Sequence, residues 1–233
     1  MTRIRRLTEV LKEHPSFKPG WRALKESSRD GDVAVGFDNP GFGRVEGVVV
    51  CDGEGRPVYD QYQIEEGPAD ADGKRRKASG AIIVPYYLRD GQVQLGFIVR
   101  LREVVRDPAT GNQGRESLEF PRGLRNAGDS SDLATAIREL GEEMHGVAKS
   151  AERIGGVNPN TAFYVTSGIP VFSVELEPAR VRRSSEDAGE HITRSEFMSL
   201  KKTFEKVARG EIFCGLTLSA LALFTSRISL NGR

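Results

Sequence analysis

Two apolar runs joined by a turn dipeptide constrain this chain more than any other feature in it. AIIVPYYL, Ala81 to Leu88, leads into Asp90-Gly91 and then into VQLGFIVRL, Val93 to Leu101. Asp-Gly supplies the positive φ angles of a two-residue type I′ turn, whose twist matches that of the strands it joins. The flanking β-branched and aromatic residues favour extended backbone. A hairpin at the core of a mixed sheet is expected here, and the rest of the chain has to cover it.

The remaining elements fall on both sides of that hairpin. MTRIRRLTEVLKEH reads as a short amphipathic helix, and residues 15 to 45, rich in Pro, Gly, Asp and Ser, as loops and turns anchored by Trp21 and Phe37. RVEGVVVCD, Arg44 to Asp52, and RPVYDQYQI, Arg56 to Ile64, flank the turn signal GEG and predict another hairpin. The polar Gly- and Lys-rich segment Glu65 to Ser79 is the best boundary, giving an N-terminal helix-and-hairpin segment over 1–78 and a main domain over 79–233. Within the main domain, Val104 to Ser117 is polar with turn formers, and LEFPRGL leads into a loop. An acidic helix follows. Asn160 to Glu177 alternates well enough for one or two strands, RVRRSSEDAGEH is a charged loop, and SEFMSLKKTFEKVARG and TLSALALFTSRI have helical spacing. The order of strands, helix, strands and helices favours an α/β or α+β layered sheet over a doubly wound parallel one.

Composition narrows the partners. Of 233 residues, 38% are hydrophobic and 29% charged, which is material for a core and argues against disorder throughout. The 34 basic and 33 acidic residues nearly cancel, so the overall balance points to neither nucleic acid nor an anionic membrane, and local charge must carry any argument about ligands. Cys51 and Cys214 form no CxxC pair and have no His at ligand spacing, which argues against a disulfide framework and a structural zinc site. The basic start lacks an apolar h-region, and no run approaches the ~18 apolar residues of a membrane helix. A cytoplasmic location is the default expectation.

RELGEEMHG, Arg138 to Gly146, puts three glutamates into five residues. Around it Leu133, Ile137, Leu140 and Met144 recur at helical intervals and fall within a stripe about 60° wide, whereas Glu139, Glu142 and Glu143 occupy a separate sector about 100° wide. Asp129, Ser130 and Ser131 offer N-caps just upstream. The acids are either a solvated face or a metal site. Like charges at (i, i+4), Glu139 and Glu143, destabilise an isolated helix, and only Arg138 is near enough along the chain to relieve them. Hard divalent ions prefer carboxylate oxygens together with phosphate and water. Spacing alone leaves both readings open.

Pro121 to Val147, PRGLRNAGDSSDLATAIRELGEEMHGV, resembles the Nudix box: Gly, five residues, Glu, seven residues, Arg-Glu, an aliphatic residue, any residue, Glu-Glu, any residue, Gly and an aliphatic residue. Gly123, Arg138, Glu139, Leu140, Glu142 and Glu143 fall in the expected roles. The close GEIFCGLTLSALALF is similar to that of the ADP-ribose pyrophosphatase branch, and the resemblance extends over roughly Ala81 to Phe224. Two departures stand out: Asp129 replaces the first glutamate with one extra residue before Arg138, and MHGV replaces the single residue before the closing Gly. The resemblance implies an α/β/α sandwich around a mixed sheet. It also implies Mg²⁺- or Mn²⁺-dependent hydrolysis of a nucleoside diphosphate linked to another group, ADP-ribose or a nucleotide sugar foremost. Glu139, Glu142 and Glu143 would be metal ligands together with the Arg122 carbonyl, Arg138 would orient a box glutamate, and Glu190 or Glu186 would supply the general base. A homodimer pairing through N-terminal strands is implied too. Outside the box, Arg100 and Arg102 are candidates for substrate phosphate or a ribose, or else ordinary ion-pair partners. Tyr86 and Phe163 could stack on a base or serve as core, and His145 could be an acid, a ligand or a helix cap. The rival reading is a degenerate box that binds a nucleotide as a sensor without cleaving it.

Overall fold

The computed structural model describes residues 3–16, 35–39, 43–66, 80–106, 110–126, 128–159, 168–177 and 192–230. The chain forms two compact units, one of Met1–Ser79 with Asn158–Ser167 and one of Gly80–Val157 with Gly168–Arg233. Among the described residues no helix is long and apolar enough to cross a membrane.

In the first unit the expected hairpin is present as β3 (Gly43–Cys51) and β4 (Pro57–Glu66), paired antiparallel. Its turn is organised by Asp52, whose carboxylate accepts the Glu54 and Arg56 backbone N–H groups at 2.9 and 3.0 Å and whose charge is held below the usual carboxylate range chiefly by the Arg56 side chain. The hairpin belongs to a larger sheet. β1 (Arg3–Arg6) pairs with the second half of β3 and β2 (Val35–Asn39) with its first half, so β3 is flanked on both edges. Helix α1 (Leu7–Glu13) sets Val10 against Val49 and Cys51 in a small core.

The second unit is built on the central hairpin. β5 (Gly80–Arg89) and β6 (Gln92–Arg106) meet at Asp90 and Gly91, whose φ angles of 52° and 73° are those the Asp-Gly turn calls for. The seven-stranded mixed sheet runs β11 (Ile192–Ser199), β6, β5, β10 (Ile169–Leu176), β9 (Ala148–Val157), with β7 (Gln113–Glu119) also on β6 and β8 (Arg122–Leu124) also on β5. Among the described strands of this sheet only the β5–β10 pairing is parallel. Strand alternation divides the core in two. Ile82, Val84, Phe97 and Val99 point to one face with Ala220, Leu221 and Phe224 of α4 (Gly215–Leu230); Ala81, Ile83 and Ile98 point to the other with Ala136, Leu140 and Met144 of α2 (Asp132–Met144).

Several expectations change at the elements. The polar stretch after Val104 is not all loop: β6 continues to Arg106 and β7 returns along it, with only the Leu118 end of β7 reaching the core. AKSAERIGGV gives no alternation, yet it forms β9, an edge strand defined by pairing with β10 and mostly exposed. SEFMS is strand and not helix, since pairing with β6 sends Phe197 and Met198 to opposite faces of the sheet; the helix that follows, α3 (Leu200–Ala208), starts only after Ser199 caps it.

Candidate active site

Helix α2 does not lie on the sheet by its apolar stripe. Its buried residues are Thr135, Ala136, Glu139, Leu140, Glu143 and Met144, an arc centred roughly 80° from the stripe and displaced toward the acids. Glu139 and Glu143 are 5% and 2% exposed, whereas Leu133 and Ile137 are 40% and 39% exposed. A solvated acidic face would have the opposite pattern.

Buried carboxylates need charge and hydrogen-bond partners. Period-two alternation along β6 places Ile98, Arg100 and Arg102 on the face that carries α2, and the run turns from apolar to basic as it leaves the core. Arg100 Nη2 donates to Glu143 Oε1, both side chains being buried, and the Arg122 backbone N–H donates to Glu143 Oε2 at 2.9 Å. Glu139 lies against Gly123, where any Cβ would overlap its carboxylate, and Arg138 Nη1 reaches Glu139 Oε1 at 2.8 Å. The same guanidinium donates to Glu142 Oε2 at 2.7 Å and to the Leu124 carbonyl at 2.8 Å. Glu142 itself is 55% exposed at the side chain.

Asp129 completes this group and explains how the extra residue before Arg138 is absorbed. Its carboxylate accepts Arg138 Nε at 3.2 Å and Nη2 at 3.0 Å, the Asn126 backbone N–H at 2.8 Å and the Thr135 hydroxyl at 3.0 Å. Arg138 above all, against the opposing effect of burial, holds the Asp129 carboxyl at about 2. Ser131 is the N-cap, accepting the Ala134 N–H at 3.1 Å. At the other end His145 takes the left-handed conformation, φ 50° and ψ 29°, and its N–H and that of Gly146 satisfy the Gly141 and Leu140 carbonyls. MHGV is therefore a helix cap in which His145 takes the left-handed position.

Sequence reasoning missed Glu119. It lies on β7 beside Arg102, which donates through Nε to Oε1 at 2.7 Å and through Nη2 to Oε2, while Arg122 Nη2 approaches the same Oε2 at 3.4 Å. Burial opposes the Glu119 charge most, yet the Arg102 hydrogen bonds and the two guanidinium charges keep its carboxyl below the usual carboxylate range. The available signal was parity: Glu119 stands opposite Ile98 in the ladder, on the same face as Arg100 and Arg102. Tyr86 packs on Phe224 with ring centroids 5.2 Å apart, a core contact. Glu186, Glu190 and Phe163 lie outside the described residues.

The donor set on α2 is oxygen only, which suits hard cations such as Mg²⁺ and Mn²⁺ and not zinc or copper. Residue types therefore fit such an ion, and Gly123 leaves room for the Glu139 carboxylate at the backbone, while Arg138 is shared by Asp129, Glu139 and Glu142. The acids are nevertheless closed onto arginines, and among the described residues no three His, Cys, Asp or Glu side chains are gathered closely enough to hold a metal.

No protein-family model matches the chain, and no curated protein does. Among solved structures the chain is similar to an ADP compounds hydrolase, with a TM-score of 0.55 and 17% identity over 84% of this chain and 92% of that one. It is similar also to the Nudix domain of NrtR from Shewanella oneidensis complexed with ADP ribose (TM-score 0.42, 15% identity, 68% of this chain and 93% of that one). A Nudix hydrolase from Nitrosomonas europaea gives a TM-score of 0.41 at 16% identity, over 64% of this chain and 90% of that one. The chain shares the fold of the first of these, a mixed sheet with α2 on one face and α4 on the other. A fold does not by itself carry an activity.

Proposed function

We propose that the chain is a metal-dependent Nudix pyrophosphohydrolase that cleaves a nucleoside diphosphate linked to a further group, ADP-ribose or a nucleotide sugar, into a nucleoside monophosphate and a phosphorylated product. The observation that carries this is the burial of Glu139 and Glu143 against Arg122 and Gly123, on the sheet face that bears Arg100 and Arg102. The similarity to an ADP compounds hydrolase supports the substrate class.

Glu139, Glu142, Glu143 and the Arg122 carbonyl would hold Mg²⁺ or Mn²⁺. Such an ion, when bound, offsets diphosphate charge and lowers the pKa of a water for attack at phosphorus. The chain's own residues divide the other tasks. Arg138 orients Glu139 and Glu142 while Asp129 and the Leu124 carbonyl fix the guanidinium from behind. Arg102, with 26% of its side chain exposed, is better placed to meet phosphate oxygens than Arg100, which is buried on Glu143. Glu190 or Glu186 takes the proton from the attacking water. The homodimer implied by the resemblance is part of the same proposal, and light scattering tests it.

The arginine pairing of every buried acid favours a second reading, a nucleotide-binding sensor that no longer cleaves its ligand. Chromatography of products after incubation with Mg²⁺ and ADP-ribose, nucleotide sugars, dinucleoside polyphosphates, NADH and coenzyme A separates the two. The hydrolase splits at least one compound at its pyrophosphate, giving a nucleoside monophosphate or, from coenzyme A, its 3′-phosphorylated counterpart; the sensor binds one and leaves it intact.

A further inference from the structure

Glu119 is one buried carboxylate between two guanidinium groups. Arg102 grips it with two nitrogens, and Arg122 Nη2 comes to within 3.4 Å of the oxygen that also accepts Arg102 Nη2. One negative charge cannot neutralise both cations. The two arginine side chains are 26% and 27% exposed, so both reach solvent at the edge of the site, whereas Glu119 at 3% does not. A guanidinium carries five N–H donors. Arg102 commits two nitrogens to Glu119 and Arg122 one, and neither makes another side-chain hydrogen bond among the described residues. The Arg122 backbone is fixed at the same time, because its N–H holds Glu143 and the next residue, Gly123, lies under Glu139. Its side chain therefore leaves the main chain between the proposed cation-holding acids and the Arg102 guanidinium.

We infer that the side chain of Arg122 is a second phosphate-binding group, paired with Arg102 by their shared Glu119, and that the two guanidinium forks receive the diphosphate of the substrate. The inference rests on the reading of this face as a nucleoside diphosphate site, and it adds a specificity-determining side chain to a residue otherwise assigned only a backbone role. Guanidinium forks match phosphate oxygens in a way that an ammonium does not. Glu119 is the positioning residue, since it holds two like charges side by side at the cost of one buried acid.

Calorimetric titration with inorganic pyrophosphate, at low salt and with EDTA present, reads this site without metal or turnover. Wild type is expected to bind, Arg122→Ala to bind about tenfold more weakly, and Arg122→Lys to fall between them, with thermal midpoints near wild type. Arg194→Ala removes a half-exposed arginine of a surface pair with Glu116 and is expected to leave pyrophosphate binding unchanged. Wild type that fails to bind, Arg122→Ala that binds like wild type, or a loss in Arg194→Ala equal to that in Arg122→Ala would each overturn the inference. Turnover of the compound panel is measured separately. Arg122-dependent pyrophosphate binding with no turnover would remove the hydrolase reading and keep this one, and turnover whose KM ignores Arg122→Ala would do the reverse.

Discussion

Gly123 lacks a side chain where the Glu139 carboxylate passes closest to the backbone, and a methyl group there would overlap it. Gly123→Ala is therefore expected to displace Glu139 and to cost about 1–3 kcal/mol through overpacking. A denaturation midpoint equal to wild type would contradict the placement of that carboxylate. The neighbouring acids call for different treatment. Glu143 is buried on Arg100, so its conversion to Gln breaks a buried ion pair and confounds activity with folding. Glu142 is more than half exposed and can be neutralised with little effect on the fold. At this scale the sequence was legible for the helix that carries Glu139, Glu142 and Glu143. It was not legible for Glu119, whose role depends on a strand register that only the folded ladder supplies.

Helix α2 shows why periodicity found the element but not its orientation. Leu133, Ile137, Leu140 and Met144 do form a stripe, and a stripe is normally laid on the sheet. Here Arg100 and the Arg122 N–H draw Glu143 inward, Gly123 admits Glu139, and the helix turns until Leu133 and Ile137 face outward. Favourable pairing of two buried acids outweighs the lost burial of two aliphatic residues that keep more than half of their surface covered. The N-terminal end is fixed by Asp129 on Arg138. Because the folded Asp129 carboxyl sits near 2, below its ordinary 3.8, this clamp stabilises the fold fully above pH 3.8 and is lost as pH falls through about 2. Stability of wild type and of Asp129→Asn, followed by denaturation against pH, is expected to differ above that window and to converge below it. A constant gap across the window would mean that the Asp129 charge is not what holds the loop.

The larger of the two units, Gly80–Val157 with Gly168–Arg233, is organised by the central hairpin, which sets strand parity on both faces of its sheet and so decides which arginines meet α2. The hairpin itself followed from AIIVPYYL, Asp90-Gly91 and VQLGFIVRL. β7 and β9 did not, because each is largely polar and exists by pairing with a strand already in place. Glu119 ties β7 to β6 through Arg102, and Phe120 N–H ties the following residue to Thr217 Oγ1 on α4 at 3.1 Å. Glu119→Gln is expected to cost about 3 kcal/mol, the low end for a broken buried pair because Arg102 keeps a quarter of its side chain in water. Urea denaturation checks this, and a change under about 0.5 kcal/mol, the range of ordinary surface substitutions, would show that the pair contributes little.

The most direct test of the acidic helix as catalytic machinery is the Mg²⁺-dependent kcat/KM of wild type and of Glu142→Gln on whichever nucleoside diphosphate derivative the wild type cleaves. Expected is a loss of at least the roughly hundredfold that removing even a supporting partner of a metal ligand can cost, with the thermal midpoint unchanged. Full activity in Glu142→Gln, in a protein that still folds, would return that exposed acid to the solvated face of a helix and contradict its place in the proposed metal site.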